Sequence, residues 1–376
     1  MESKEDAATQ KFDEDVSRAF DEKSPDYLAH VNIALVGKVS SGKSSLLNAF
    51  FERDNKEPLA EVGASSGITT KITPYKLDDH VLIVDCPGLD DVRKENTQVT
   101  KDFLDSIDLG IFVVTGSADA SQKSKYDDLK SSAGEVFVVL NKMDEWDELE
   151  EAALEDVKEQ WRNVLGLERI FPLCTKGYDP RRRSDAPMDI RGVGDLRSAV
   201  FDFLKSKKKD ILLAKHLKNK SKYAAGIVGA ALLAVSVESF VPGSAAYITA
   251  TQAVAISSLY YLYTGEVLSK KSALGMLPTF VAQSAGRNLF LWAKSFLPPT
   301  GVVDAAAAIV AVVVTFATLG SVAWMLREGK SLDDKDALKS AFSKFSEVGE
   351  KNLKGVSLDD FKDRAKIGAL VLRLMG

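Results

Sequence analysis

Val31-Asn32-Ile33-Ala34-Leu35-Val36-Gly37-Lys38-Val39-Ser40-Ser41-Gly42-Lys43-Ser44-Ser45 is the stretch whose reading decides the fold. Its first six residues form a compact, mostly apolar run that suits a buried strand, and Gly37 carries the chain into a turn. Gly37 to Ser44 then fits the pattern G-x-x-x-x-G-K-[ST], and Ser45 to Phe50 reads as the start of a helix. In that setting the glycines let backbone N–H groups wrap phosphates at a helix N-terminus. Lys43 is then expected to reach the β- and γ-phosphates, and the Ser44 hydroxyl to bind Mg²⁺. Ser40, Ser41 and Ser45 complete the expected phosphate-binding stretch. A chance Gly/Ser turn would match the spacing, but not the strand before it and the helix after it.

His80 to Asp85, Leu109 to Thr115, Glu135 to Asn141 and Ile170 to Cys174 are similar apolar runs. Helix-length segments, including Tyr126 to Ser132 and Leu149 to Leu165, lie between them. Strands alternating with helices predict an α/β domain with a mostly parallel sheet and helices on both faces. Ile72 to Leu77 is expected to add an edge strand beside the one ending at Asp85. Three further motifs fall at strand ends. Asp85-Cys86-Pro87-Gly88 is a D-x-x-G element, in which Asp85 can hold a magnesium-bound water and the Gly88 N–H can sense a γ-phosphate. Asn141-Lys142-Met143-Asp144 is an N-K-x-D element, whose carboxylate can accept two hydrogen bonds that guanine offers and adenine does not. Cys174-Thr175-Lys176 resembles the S-A-K loop that backs the guanine base. Either turn could be ordinary by itself, but four elements in order at four strand ends imply a site for GTP or GDP with Mg²⁺.

The series resembles the translation-factor branch of P-loop GTPases, near its Era, MnmE and septin–dynamin-like members. The resemblance implies a threonine that closes over magnesium and the γ-phosphate before the third strand. Gly67-Ile68-Thr69-Thr70-Lys71 stands there, with Thr70 favoured because a basic residue follows it and Thr69 as the alternative. Ras-like proteins place a water-orienting glutamine directly after the D-x-x-G glycine. Here Leu89 occupies that position, followed by Asp90 and Asp91. The resemblance therefore implies help from a K⁺ or Na⁺ ion near Ser40, as in dynamin-like proteins, or from a second protomer in a nucleotide-dependent homodimer. Slow intrinsic turnover is expected, with Lys43, Ser40 and Thr70 carrying the catalysis. The rival expectation is a nucleotide-dependent scaffold with negligible turnover that recruits a protein or ribosomal partner, and a third is an ATPase.

The 376 residues allow more than one domain, and four regions are expected. They are an N-terminal helical extension (1–28), the GTPase domain (29–206), an apolar helical module (207–330) and C-terminal amphipathic helices (331–376). A net charge of −5 gives no reason to expect DNA binding. The two cysteines, Cys86 and Cys174, both fall inside the motifs, which excludes a disulfide framework and suits a reducing, cytoplasmic setting. Met1 to Lys23 is acidic and lacks an apolar run, so it does not read as a signal peptide, and Glu2 gives no myristoylation site. Phe12, Val16 and Phe20 mark an amphipathic helix there, expected to pack on the GTPase domain or a neighbour. The three histidines, His30, His80 and His216, lack metal-ligand spacing.

Tyr223 to Val237, Ser244 to Gly265 and Ala305 to Leu326 are almost free of charge. The second and third reach the roughly 20 residues a membrane-spanning helix needs. Their small residues would allow close helix packing, and the lysine run from Lys205 to Lys222 could rest on anionic lipid. Insertion or tight association at the cytoplasmic face of a membrane is favoured. The alternative is a soluble bundle, since Thr249, Thr251, Gln252, Ser257 and Ser258 interrupt the second stretch. With its Pro-Gly turns at Val241-Pro242-Gly243 and Leu297-Pro298-Pro299-Thr300-Gly301, the module resembles the YcjF-type region that follows Era-like GTPase domains in bacteria. It bears a more distant likeness to immunity-related GTPases. That resemblance implies a membrane-associated GTPase.

Overall fold

The structure is a computed structural model that describes residues 2–62, 72–95, 98–149, 151–178, 181, 183, 185, 187–239, 245–283, 305–353, 356, 360 and 363–376. The chain opens with helix α1 (Glu2–Lys23) and then divides into two units. One spans Asp26–Lys218, and the other joins Met1–Pro25 to Asn219–Gly376.

In the first unit, β1 (Val31–Gly37) leads into α2 (Lys43–Phe50). The hairpin β2 (Thr73–Lys76) and β3 (Val81–Cys86) follows, then α3 (Leu89–Glu95) and α4 (Gln98–Leu104). Next come β4 (Leu109–Val114), α5 (Lys123–Ser132), β5 (Glu135–Leu140) and α6 (Glu151–Leu165). The unit ends with β6 (Phe171–Pro172), β7 (Cys174–Lys176), β8 (Asp189–Arg191), α7 (Val193–Ser206) and α8 (Asp210–Ala214). Among the described residues six strands form one sheet in the order β2-β3-β1-β4-β5-β6, in which only β2 is antiparallel. This is the expected mostly parallel α/β architecture, and β2 is the expected edge strand.

Period-two alternation sends the strand side chains to two cores. Ala34, Val36, Val84, Phe112, Val114 and Leu140 meet Tyr126, Leu129, Val157 and Trp161 on one face. Trp161 is fully buried, and its indole N–H donates to the Gly116 carbonyl at 2.8 Å. Ile33, Leu35, Ile83 and Ile111 face the other way, toward Leu46, Leu47 and Phe50 of α2. The fifth apolar run departs from expectation. It breaks at Leu173 into the short β6 and a separate antiparallel pair, β7 with β8.

The unit's last residues are fastened to it by charge. Lys218 pairs with Asp54 at 2.5 Å, and Arg53 donates to the His216 carbonyl at 3.2 Å. At the tip of the β2–β3 hairpin, Asp78 accepts from the His80 and Val81 N–H groups and pairs with Lys215 at 2.5 Å and His216 at 3.0 Å. The three histidines are thus closer than their spacing suggests, since the His30 and His80 rings lie 5.4 Å apart beside this cluster.

In the second unit α9 (Ser221–Glu238), α10 (Ala245–Thr264) and α11 (Lys270–Gln283) are followed by α12 (Ala305–Arg327), α13 (Lys335–Leu353) and α14 (Arg364–Met375). α12 packs on α9, α10 and α13, and α14 lies along α9. Small residues set these distances: a Cβ on Gly320 would come within 2.8 Å of the Phe345 ring. Both α9 and α12 contain stretches long and apolar enough to cross a membrane, yet 83% of the α12 stretch is buried inside the unit. Gln252 of α10 donates to Thr315 of α12 at 2.8 Å in that interior. Of the two places expected for α1, the structure shows the neighbour, a helix of its own unit. Val16, Ala19 and Phe20 are buried, α1 lies on α10, and Lys23 donates to Thr251 at 2.5 Å beside its ion pair with Glu238.

Burial pushes the Asp78 carboxyl up, but hydrogen bonds from Lys215 and the His80 N–H, with the His216 charge, outweigh it and hold the group at about 2. Its folded value lies below its unfolded one. Its stabilisation is therefore full above roughly pH 4 and is lost as the pH falls toward 2. Asp78→Asn should lower the stability of the 26–218 unit by about 2 kcal/mol at neutral pH. In urea titrations, that gap should shrink between pH 4 and 2.

Candidate nucleotide site

The loop between β1 and α2 sits at the carboxyl edge of the sheet, where ligands of open α/β folds bind. Gly42 takes φ +87°, and a Cβ there would lie 2.3 Å from the Asn141 amide nitrogen, so only glycine fits. No side chain caps α2 at Gly42, and no acidic residue occupies its first turn. Its first N–H groups therefore remain available to an anion. Ser40 also takes a left-handed conformation, at φ 63°, and is exposed at the loop's rim. Ser41 is buried, and its hydroxyl has no hydrogen-bond partner. Ser44 and Ser45 lie half-buried in the first turn of α2.

Lys43 is buried and donates to the carbonyls of Gly37 at 2.8 Å and Lys38 at 3.0 Å, so its ammonium closes the loop on itself. Asp85 Oδ1, at the end of β3, lies 3.6 Å from it, beyond hydrogen-bonding distance. Burial lowers the Lys43 pKa against the pull of Asp85. Burial likewise raises that of Asp85 against the pull of Lys43. Asp85 Oδ1 is buried without a hydrogen-bond partner, a cost of about 1–3 kcal/mol that a ligand would relieve. Tyr75 of β2 lies beside the Ser44 hydroxyl, which pulls its pKa down against the stronger upward push of burial. Hydroxyl and carboxylate oxygens are the donors Mg²⁺ takes, so Ser44 and Asp85 fit that ion. Thr70 and Thr69 lie outside the described residues.

Asn141 joins three loops. Its amide donates to the Ser41 carbonyl at 2.9 Å, and its carbonyl accepts from Thr175 at 3.1 Å. Lys142 takes a left-handed φ of 64°, which turns the chain after β5 toward Asp144. The two Asp144 oxygens meet the Cys174 thiol at 3.4 Å and the Lys176 ammonium at 3.1 Å. Burial opposes ionisation of Asp144, but Lys176 wins and keeps its pKa low. Arg191 of β8 grips Asp147 through both terminal nitrogens, at 3.0 and 2.5 Å. The 174–176 and 141–147 segments are therefore braced together.

Leu89, in the place of the absent glutamine, is buried in the core and cannot face a ligand. Motif reading does not reveal Tyr75, Lys125 or Asp119. Lys125 of α5 donates to the Pro87 carbonyl at 3.0 Å, and Asp119 pairs with Lys38 of the loop. None of the three belongs to a motif, and only the fold brings them to the site.

These geometries define a P-loop GTPase fold. Residues 32–142 match the family of 50S ribosome-binding GTPases. GTPase Der of a Nitratiruptor species is 24% identical over 189 residues, covering 48% of this chain and 39% of Der. The probable GTP-binding protein EngB of Rickettsia bellii is 41% identical over 73 residues, covering 19% of this chain and 33% of EngB. Among solved structures, Aquifex aeolicus Era bound to GDP and AlF4⁻ aligns with a TM-score of 0.31 at 19% identity, covering 55% of this chain and 68% of that one. The chain thus spans well under half the length of these two curated relatives, and the family match ends before α6.

Asn141→Ala would leave the buried Ser41 carbonyl and Thr175 hydroxyl without their partner. The nucleotide-free 26–218 unit should lose about 1–3 kcal/mol, read as a lower urea midpoint.

Proposed function

We propose that this chain binds GTP and GDP with Mg²⁺ and hydrolyses GTP slowly, and that its helical unit responds to the bound nucleotide. The observation that carries the reading is the Asn141 bridge, which ties the loop that carries Lys43 to the β7 segment whose Cys174 and Lys176 meet Asp144. In this reading Gly37 to Ser45 cradle the phosphates, Lys43 offsets their charge and the Gly88 N–H senses the γ-phosphate. Asn141 and Asp144 read guanine, Lys142 shapes that turn, and Cys174, Thr175 and Lys176 back the base. Mg²⁺, held by Ser44, Asp85 and Thr70, would supply charge neutralisation at the β- and γ-phosphates. A K⁺ or Na⁺ ion beside Ser40, or a second protomer in a homodimer, would replace what Leu89 cannot supply. Water attacks the γ-phosphorus, the bond to the β-phosphate oxygen breaks, and GDP and phosphate leave.

The helical unit is the proposed output. The length and apolarity of α9 and α12, with the lysine run before them, support association of 207–330 with membrane lipid at the cytoplasmic face. The burial of α12 supports a second reading, a soluble bundle that recruits a protein or ribosomal partner with little turnover.

Asp144→Asn replaces the acceptor for guanine with an amide. It should weaken GTP at least about tenfold, through loss of charge-assisted hydrogen bonds, and shift base preference. Unchanged preference would favour an ATPase instead. Turnover should be slow and rise with K⁺, and fast turnover by a monomer without monovalent cations would overturn this mechanism. In an alkaline carbonate wash the full chain should stay with the membrane while a 1–206 truncation is released; release of both would favour the soluble bundle.

A further inference from the structure

Among the described residues α9 packs on α10, α12 and α14 with one face. Ala224, Val228, Leu232 and Val235 are buried there. A Cβ on Gly229 would meet Ile367 and Gly368 of α14 at 3.5 and 3.6 Å. The opposite face carries Tyr223, Ile227, Ala230, Leu233, Ala234 and Val237, at the three- and four-residue spacing of a helical stripe. The first five are half-buried, and Val237 is 50% exposed. A helix on the surface of a soluble bundle is ordinarily polar on its outer side. α9 is apolar on both.

The neighbouring apolar helices are covered. Of the α12 stretch 83% is buried, against 44% of that in α9. α1, with Val16, Ala19 and Phe20 buried, lies on α10. From Ile227 to Val237 no side chain of the open stripe can form a hydrogen bond. A protein interface carries about one hydrogen bond per 100–200 Å², whereas acyl chains need none. The charges at the ends fit lipid as well. Glu238, the carboxylate that ends α9, is paired with Lys23. Of the lysines before the stripe, Lys209, Lys215 and Lys218 are taken by Asp108, Asp78 and Asp54, and Lys220 lies over the Tyr263 ring. Lys222 is exposed in the first turn of α9, and among the described residues it forms no ion pair. A cation beside an uncharged apolar face is the pattern that anionic headgroups over acyl chains complement.

We infer that the outward face of α9 is the surface on which the helical unit meets an anionic lipid bilayer, with the helix lying along the interface and the Tyr223-to-Val237 stripe turned into it. The inference rests on the reading of 207–330 as lipid-associated, and it assigns the contact to α9 and not to α12. A helix packed on α10, α12 and α14 has one face left for lipid, which is the geometry of an interfacial helix. α12 is then the interior of the unit, in keeping with its burial and with the Gln252–Thr315 hydrogen bond.

The test floats the full chain with vesicles of phosphatidylcholine alone and of phosphatidylcholine with phosphatidylserine. It compares wild type with Val237→Glu, Leu233→Glu, Lys222→Gln and Val267→Glu. Val267 is 54% exposed between α10 and α11, off the stripe, so its variant controls for an added carboxylate. Wild type should partition to the anionic vesicles. Val237→Glu should weaken that partition at least about tenfold and Lys222→Gln about fivefold, while Val267→Glu should match wild type. If Leu233→Glu, at a half-buried position, fails to fold, Val237→Glu at its exposed one still decides, with an unchanged thermal midpoint. Wild-type flotation that Val237→Glu leaves intact overturns the α9 face while the lipid reading stands. Equal losses in Val237→Glu and Val267→Glu overturn it too, as does equal wild-type binding to both kinds of vesicle. A wild type that floats with neither overturns the lipid reading and this inference together. Light scattering covers the remaining occupant: stripe variants that split a dimer and still float assign the face to a second copy, which overturns the lipid contact.

Discussion

Asn141 is the side chain on which the site depends. Its amide spans the interval between the phosphate loop, the end of β5 and the start of β7, binding Ser41 on one side and Thr175 on the other. A buried carbonyl or hydroxyl without a partner costs about as much as a hydrogen bond contributes. Each of the three loops is therefore held where that amide reaches it. Gly42 lacks a Cβ because the amide occupies that space.

Around this bridge the fold gathers groups that local stability alone would not choose. Lys43 and Asp85 are buried and offset each other only partly at 3.6 Å. Asp85 Oδ1 and the Ser41 hydroxyl stay unpartnered in a chain that satisfies most of its buried polar atoms. Breaks in local consistency of this kind collect where a protein binds something. The same edge carries Lys38, paired with Asp119, and Lys125, which donates to the Pro87 carbonyl.

In the helical unit, composition by itself leaves the environment of each helix open. α12 has the length and apolarity of a membrane span, yet helices on several sides bury most of it. Close approach at Gly320 and the buried Gln252–Thr315 hydrogen bond are what a tightly packed helical interior requires. Neither is visible in a hydropathy profile. The amphipathic N-terminal segment was equally legible as a helix and equally silent about its partner. α10 supplies that partner, together with Thr251 and the Lys23–Glu238 pair.

Sequence alone determined β1 to β5 and the residues of the four motifs, because each depends on neighbours close in the chain, but not the break at Leu173 or the β7–β8 pair. An apolar run between turns, a glycine that needs positive φ and a lysine beside a helix N-terminus are local facts. It also determined that Leu89 could not orient a water, since leucine has no hydrogen-bonding group. Tertiary structure alone decided that Asn141 braces Ser41 and Thr175, that Lys125 reaches Pro87, that Asp78 meets Lys215 and His216, and that α1 joins the helices after residue 218. These contacts join residues 34 to well over 100 positions apart, and no periodicity or motif encodes which distant surface a side chain will meet. That choice is made when the sheet and the helices bury their apolar faces and bring such residues within reach.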